Sequence, residues 1–137
     1  MQKHPGGCLC GAVRYTAQGA LRDVVYCHCG QCRRQTGLYY AATAVEKVDL
    51  TITDETALRW FAASDYAERG FCGTCGSALF WRAHKASHIA ILAGSLDDQS
   101  QLKSASHICT ENRPAFYAIC DGLPQYAQSS PGIAIDD

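Results

Sequence analysis

Seven of the nine cysteines in this 137-residue chain fall in three short clusters. The first, middle and last clusters are Cys8/Cys10, Cys27/Cys29/Cys32 and Cys72/Cys75. Seven thiolates divide naturally into four, which close a tetrahedral zinc site, and three, which leave one coordination position open for water or substrate. Gly73 and Gly76 permit the tight, left-handed turn that brings two sulfurs onto one ion. The pattern therefore predicts about two zinc ions per chain.

A disulfide framework is the main alternative to metal binding, and the sequence argues against it. Nine cysteines cannot all pair within one chain, and two cysteines separated by one residue close a short, strained ring. Residues 1–7 lack the apolar core of a secretory signal. Clustered cysteines without an export signal are typical of metal ligation in a reducing compartment. We therefore expect a cytoplasmic protein.

Length and charge restrict the class of protein further. A chain of 137 residues fits one domain, so residues 1–137 are expected to form a single zinc-binding domain. Twelve basic and thirteen acidic residues give a formal net charge of −1, which leaves no basic excess for nucleic acid. The longest apolar run, 89–93, is too short to cross a membrane. We expect a soluble protein that binds neither nucleic acid nor membrane, with disorder only in the tail 128–137.

Alternating apolar residues bounded by turns predict a mainly β protein with little helix. The predicted strands span residues 12–16, 24–28, 38–45, 48–53, 58–63, 67–71, 78–81 and 87–92. The last of these is apolar enough to lie at the centre of a sheet, and the third and fourth flank Glu46-Lys47 like a hairpin. Short helices are expected around 31–35 and near 96–99. The clusters then lie at strand ends and turns, where metal ions would hold β-elements together.

The spacing alone does not say which four cysteines share a metal ion. The two C-x-x-C pairs, Cys29/Cys32 and Cys72/Cys75, could form a zinc ribbon. Alternatively, the first cluster could join the last and leave the middle cluster as a compact group. Three ligands within six residues suit a site with a free face, because one local loop wraps only one side of an ion.

Six segments of the chain match the motifs of a known family in order. They are G-G-C-L-C-G-A-V-R-Y (6–15), C-H-C-G-Q-C-R-R (27–34), F-C-G-T-C-G-S (71–77), A-G-S-L-D-D (93–98), H-I (107–108) and D-G-L-P (121–124). In these segments the chain resembles the glutathione-dependent formaldehyde-activating enzyme family, which also includes centromere protein V. The resemblance covers nearly the whole chain and implies a β-tent fold of antiparallel sheets.

The resemblance also implies a division of the cysteines and an activity. The residues that look like structural zinc ligands are Cys8, Cys10, Cys72 and Cys75. Those that look like ligands of a catalytic-type zinc are Cys27, Cys29 and Cys32. The family's named activity joins glutathione to formaldehyde and gives S-(hydroxymethyl)glutathione, as a carbon–sulfur lyase. The implied partners are a glutathione-like thiol and a small carbonyl compound; the alternative is a non-catalytic zinc module that binds a thiol ligand or a protein partner, because fold does not fix function.

Two arginines directly follow the middle cluster. Three thiolates on a divalent ion leave a net negative charge, which weakens the metal as a Lewis acid. Arg33 and Arg34 could offset that charge or grip a substrate carboxylate. Their other interpretation is a solvated charged pair.

The remaining polar and aromatic residues near these motifs fit structural roles better than catalytic ones. His28 lies between two ligand cysteines, and alternate residues of an extended segment face opposite sides, so its side chain is expected to point away from the metal. His88 and His107 are expected to be hydrogen-bonded strand residues, although His107 could line the pocket. Cys109 and Cys120 are expected to be buried free thiols. The aromatic residues expected in the core or the pocket wall are Tyr39, Tyr40 and Trp60.

Overall fold

Ten strands, one α-helix and three short 3-10 helices make up residues 1–129, the part of the chain that the computed structural model describes. The strands are β1 (Lys3–Gly7), β2 (Arg14–Gln18), β3 (Val24–Cys27), β4 (Tyr40–Glu46), β5 (Leu50–Asp54), β6 (Leu58–Phe61), β7 (Ala67–Cys72), β8 (Ala78–Ala83), β9 (His88–Leu92) and β10 (Ser104–Ile108). Helix α1 spans Gly30–Thr36, and the 3-10 helices span Lys47–Asp49, Ala93–Ser95 and Thr110–Asn112. The predicted mainly β chain with little helix is therefore confirmed. The predicted disordered tail lies outside the described residues from position 130 onward.

The strands form one small sheet and one large sheet. The small sheet has the order β1-β2-β5 and is antiparallel throughout. The large sheet has the order β10-β3-β4-β9-β8-β7-β6 and is antiparallel except for the β10–β3 pair at one edge, which is parallel. Strand β9 is the fourth of the seven, so the central position predicted for it is confirmed.

The hairpin predicted around Glu46-Lys47 is wrong. Strand β4 ends there, the 3-10 helix Lys47–Asp49 turns the chain, and β5 begins at Leu50 in the other sheet. Strand β4 already pairs with β3 along one edge and with β9 along the other, so it has no free edge for β5. The chain therefore crosses between the two sheets at this point.

Strand β1 has the sequence K-H-P-G-G, which no apolar alternation predicts. It lies close over Tyr15 of β2, and a Cβ atom on Gly6 would lie 2.5 Å from the Tyr15 Cζ atom. Only glycine allows this approach. Gly6 also forms a β-bridge with Leu96. The helix predicted near 96–99 is therefore wrong, and the 3-10 helix ends just before Leu96, at Ala93–Ser95.

The hydrophobic core joins the two sheets. Tyr15 of the small sheet and Phe80 of the large sheet are fully buried, and their rings meet edge to face with centroids 5.3 Å apart. Val13 and Ile91 are also fully buried in this core. Burial of each such side chain contributes about 1.5–3 kcal/mol. Because β2 is packed against β8 in this way, the turns at the ends of these strands are brought together.

Candidate metal centres and active site

The first and last cysteine clusters meet at the edge of this core. Cys8 and Cys10 lie in the turn between β1 and β2, Cys72 ends β7, and Cys75 lies in the turn before β8. The four sulfurs lie within 4.8 Å of one another, with 3.6 Å between those of Cys8 and Cys10 and 3.8 Å between those of Cys10 and Cys72. Zinc–sulfur bonds of about 2.3 Å give a tetrahedron with sulfur–sulfur edges of about 3.8 Å. This four-sulfur group therefore fits a zinc ion, and the two C-x-x-C pairs of the ribbon arrangement are not brought together.

Backbone N–H groups point at the sulfurs of this four-sulfur group. The Val13 N–H donates to Cys8 Sγ at 3.2 Å, and the Thr74 and Cys75 N–H groups each donate to Cys72 Sγ at 3.4 Å. Such donors stabilise the thiolate form. The left-handed turn predicted after the last cluster is confirmed at Gly76, which has a φ of 84°. Hydrogen bonds from the side chain and backbone of Ser77 lower the pKa of Cys75 to about 5.

The middle cluster lies where β3 passes into α1. Cys27 ends the strand, Cys29 is the N-cap of the helix, and Cys32 lies in its first turn. The short helix predicted over 31–35 is confirmed, since α1 spans Gly30–Thr36. The three sulfurs lie within 4.8 Å of one another. The Cys32 N–H donates to Cys29 Sγ at 3.4 Å, so a thiol here serves as the helix cap. Hydrogen bonds from the Cys27 and Cys32 thiols lower the pKa of Cys29, and the nearby charge of Arg69 acts in the same direction.

His28 faces away from these sulfurs, as predicted. It is fully buried, and its ring nitrogens lie 2.8 Å from His107 Nδ1 and 2.8 Å from the Tyr117 hydroxyl. His107 Nε2 lies 2.8 Å from a carboxylate oxygen of Asp121. Burial and the neighbouring His107 lower the pKa of His28 to about 4. This hydrogen-bonded chain ties the segment after β10 to the back of the middle cluster.

A cavity of about 440 Å³ opens beside the middle cluster. Its walls contain all three cysteines of that cluster and none of the four-sulfur group. Its residues are Arg22, Val25, Cys27, Cys29, Gly30, Gln31, Cys32, Tyr40, Ala42, Ser64, Tyr66, Arg69, Trp81, His88, Ala90, Ile108, Cys109 and Asn112. Among these described residues, two are arginines and none is acidic. The volume is in the range of small-molecule sites, and the charge favours an acidic ligand.

Arg69 supplies the positive charge nearest to the middle cluster. It lies in β7 and is only 5% exposed. Its guanidinium donates to Cys32 Sγ at 3.4 Å, to Gln31 Oε1 at 3.3 Å and to Gln35 Oε1 at 2.9 Å. Burial alone would lower the pKa of Arg69, but the charge of the Cys32 thiolate raises it above its usual value. The guanidinium is therefore held as a fixed cation against a sulfur of the cluster.

Neither Arg33 nor Arg34 lines the cavity. The sequence leaves open whether they offset the charge of the cluster, bind a substrate carboxylate or form a solvated charged pair. Arg34 is exposed on α1 and Arg33 is half-buried. A role for either of them stays a prediction. Arg69 is a charged residue at a buried position of the strand A-E-R-G-F-C, which is the feature that could have indicated a functional role. The strand sequence does not indicate which sulfur its guanidinium contacts.

Arg22 is the second cation of the cavity wall. It is partly buried, and burial lowers its pKa below the usual value. Its guanidinium donates to the backbone oxygens of Asp23 at 3.3 Å and Ala42 at 3.0 Å. Within residues 1–129 no carboxylate forms an ion pair with it. A cation held in this way is suited to a carboxylate of a ligand.

The two cysteines outside the clusters differ from the prediction in their burial. Both are free thiols, but Cys120 is exposed and Cys109 is only half-buried. Cys109 lines the cavity and its thiol hydrogen-bonds with that of Cys27, which raises the pKa of Cys27. Its φ is 56°, and it is the only non-glycine residue among positions 1–129 with a positive φ. No sequence pattern places Cys109 beside the middle cluster.

Tyr40 stands directly opposite Cys27 in the pairing of β3 with β4, so both side chains lie on the same face of the sheet. It is 3% exposed and lines the cavity. Its hydroxyl is the one buried side-chain oxygen or nitrogen in the described part of the chain that has no hydrogen-bond partner. Burial raises the pKa of Tyr40 well above its usual value.

Comparison with known proteins places these features in a family context. The model of the family described as glutathione-dependent formaldehyde-activating enzyme matches residues 3–112, which include both cysteine groups. An uncharacterized lyase of Schizosaccharomyces pombe is 28% identical over 81 residues, which cover 59% of this chain and 58% of that protein. A crystal structure of a Rhodobacter sphaeroides protein is similar with a TM-score of 0.58 at 22% identity, covering 74% of this chain and 99% of that one. This structural likeness shows the shared fold.

None of the helices within residues 1–129 combines the length and the apolar character needed to traverse a lipid bilayer.

Proposed function

Because the chain belongs to the glutathione-dependent formaldehyde-activating enzyme family, we propose that it is a zinc-dependent carbon–sulfur lyase acting on the adduct of an acidic thiol with a small carbonyl compound. Glutathione and formaldehyde are the proposed reactants, and S-(hydroxymethyl)glutathione is the adduct. The observation that supports this proposal most directly is the convergence of three sulfurs on a cavity of about 440 Å³ that has two arginines and no acidic residue among its described walls.

The donor chemistry of the two groups suits zinc. Thiolates favour soft or borderline ions, and four of them make a closed site whereas three do not. We propose that the four-sulfur group holds a structural zinc ion and that the proposed catalytic-type ion is held by Cys27, Cys29 and Cys32. A zinc ion at the middle cluster would act as a Lewis acid and would favour the thiolate form of a bound thiol at neutral pH.

The side chains of the cavity have separate roles in this proposal. Arg69 offsets the negative charge that three thiolates create, because it donates directly to Cys32 Sγ. Arg22 binds a carboxylate of the thiol substrate, since it has no acidic partner of its own in the described residues. Holding both reactants in one small cavity replaces a bimolecular encounter with a step between oriented groups.

The atoms of the reaction balance without an oxidant or a reductant. In the forward direction the thiol releases its proton, its sulfur bonds to the carbonyl carbon, and the carbonyl oxygen takes a proton. In the reverse direction the carbon–sulfur bond breaks and the carbonyl group reforms.

We further propose that residues 1–137 act as one zinc-binding domain, in a reducing compartment such as the cytoplasm, which keeps the ligand cysteines reduced.

The test follows adduct formation between glutathione and formaldehyde by exchange NMR. The two compounds react slowly by themselves, so the protein should speed the approach to equilibrium and leave the equilibrium position unchanged. Wild type of measured metal content is compared with Cys29→Ser and with a sample without protein. If wild type with both metal ions bound forms the adduct no faster than the protein-free sample, the proposed reaction is refuted. If calorimetry then still detects glutathione binding, the non-catalytic thiol-binding module is the better interpretation.

A further inference from the structure

The hydroxyl of Tyr40 is an unpaired polar group inside a packed wall. Its side chain is 3% exposed, and no atom of residues 1–129 lies in hydrogen-bonding position to its oxygen. Leaving a buried donor unpaired is unfavourable, because folding removes the water that it would otherwise bind. Phenylalanine would fill the same wall without this penalty. A ligand that supplies the missing partner explains why a hydroxyl is present here.

The position of Tyr40 limits what that ligand can be. The residue faces Cys27 across the β3–β4 pair and packs in one cluster with Cys32, Ala42 and Ala90. A ligand atom that reaches its hydroxyl within the cavity therefore lies beside the sulfurs of the middle cluster. A tyrosine hydroxyl carries its proton near neutral pH, so it can donate a hydrogen bond to an oxygen of the ligand.

The neighbouring cation, Arg69, is largely engaged by the protein. The guanidinium of Arg69 lies 5.2 Å from the centre of the Tyr40 ring. Each of its three nitrogens already donates to a protein atom, namely the Gln31 and Gln35 side-chain oxygens and Cys32 Sγ. Three of the five N–H groups of Arg69 are thus occupied with the protein, whereas the Tyr40 hydroxyl has no partner within residues 1–129.

Resting on the proposed function, we propose that Tyr40 is a catalytic residue whose hydroxyl donates a hydrogen bond to the oxygen of the carbonyl substrate and to the same oxygen in the thiol adduct. As the sulfur–carbon bond forms, the electron pair of the carbonyl double bond moves to this oxygen. A donor already in place stabilises the growing charge more than it stabilises the neutral carbonyl, and this difference speeds the step. Tyr40 keeps its proton: the thiol releases its proton to solvent, and the adduct oxygen takes one from solvent.

The test compares Tyr40→Phe with Tyr15→Phe. Both residues are buried tyrosines, but the Tyr15 hydroxyl lies 2.6 Å from Ser95 Oγ and belongs to the core rather than to the cavity. Tyr40→Phe should lower the catalysed rate of the glutathione–formaldehyde reaction by about 100-fold, the loss that follows removal of one such donor in other enzymes. Its zinc content should match that of wild type, and its melting temperature should equal or exceed that of wild type. Its Kd for glutathione alone should also be unchanged, because glutathione lacks the oxygen that the carbonyl substrate contributes to the adduct. Tyr15→Phe should show the reverse, with a lower melting temperature and the wild-type rate.

The other outcomes overturn the proposal. A wild-type rate in Tyr40→Phe would show that the hydroxyl does not act on the substrate oxygen, while the proposed function would stand. A slower rate accompanied by lost zinc, weaker glutathione binding or a lower melting temperature would show a structural role instead. If wild type itself fails to accelerate the reaction with both ions bound, the proposed function fails and the role of Tyr40 fails with it.

Discussion

Replacement of Arg69 by methionine should weaken metal binding at the middle cluster and leave the four-sulfur group unaffected. The guanidinium donates to Cys32 Sγ at 3.4 Å and is 5% exposed, so solvent screens its charge very little. Three thiolates and one divalent ion carry a net charge of about −1. Two unit charges about 4 Å apart attract by about 4 kcal/mol at an effective dielectric constant near 20.

This energy sets the upper limit of the effect on metal affinity. At about 1.4 kcal/mol per decade, a loss of about 4 kcal/mol corresponds to nearly a 1000-fold rise in Kd. Relaxation of the cluster should recover part of it, so we expect a rise of about 100-fold or more. Gln31 is exposed and Gln35 is half-buried, so water can replace the hydrogen bonds that Arg69 gives them. Methionine has a similar length and should keep the packing of the site.

The assay is competition for the metal with a chromophoric chelator, which resolves tightly and weakly held ions. Arg69→Met should release one of its two ions at a much lower chelator concentration than wild type, with the second ion retained. Cys29→Ser identifies which ion is lost. The matched control is Arg34→Met, since Arg34 is an exposed arginine on α1 that lies off the cavity.

If Arg69→Met and wild type release both ions alike, the charge of Arg69 does not support the metal and the reasoning is wrong. If Arg34→Met gives the larger loss, an arginine that directly follows the middle cluster offsets its charge instead of Arg69.

Two further changes separate the sites and the substrate groups. Cys75→Ser should lower the melting temperature severely because a closed metal site contributes folding free energy directly, whereas Cys29→Ser should stay folded and lose one ion by elemental analysis; equally severe melts would show that both sites are structural. Arg22→Met should weaken glutathione binding about tenfold or more, since a charge-assisted hydrogen bond is worth about 1.5–3 kcal/mol, and should leave the binding of uncharged 2-mercaptoethanol unchanged; calorimetry that finds the same loss for both thiols would contradict a carboxylate partner for Arg22.

The strands of this protein are largely predictable, because period-two patterns are local, but their pairing is not. The pattern around Glu46-Lys47 suits a hairpin as well as it suits a crossover between sheets. The crossover is imposed by β3 and β9, which occupy both edges of β4. Strand β1 has no alternation of apolar and polar residues that would predict it. It can lie beside Tyr15 only because Gly6 has no Cβ atom.

The grouping of the cysteines has the same limit. Both divisions considered from the spacing satisfy tetrahedral zinc, so ligand chemistry cannot choose between them. The packing of Tyr15 on Phe80 brings the β1–β2 turn to the β7–β8 turn, and this contact between distant residues places four sulfurs together. The prediction that Tyr40 lies in the core or the pocket wall is confirmed, but the sequence does not show that its hydroxyl lacks a partner, because this depends on all its neighbours. The contact of Arg69 with the middle cluster is not predictable for a related reason, since the sulfur that it meets lies 37 residues away.

The two cysteine groups also differ in what holds their ligands in position, and this difference bears on how each would respond to loss of metal. The four-sulfur group joins two turns that are far apart in the chain, so an ion there would cross-link them in addition to the packing of Tyr15 on Phe80. The three cysteines of the middle cluster come from one continuous segment, and contacts with the protein hold this segment in place. The Cys29 sulfur caps α1, Cys32 Sγ accepts a hydrogen bond from Arg69, and His28 is hydrogen-bonded to His107 on the side away from the sulfurs. A three-ligand site has no fourth protein ligand to fix its geometry, so such outer contacts must do so before the metal and the substrate arrive. Loss of the ion from the middle cluster should therefore cost activity, and loss from the four-sulfur group should cost the fold.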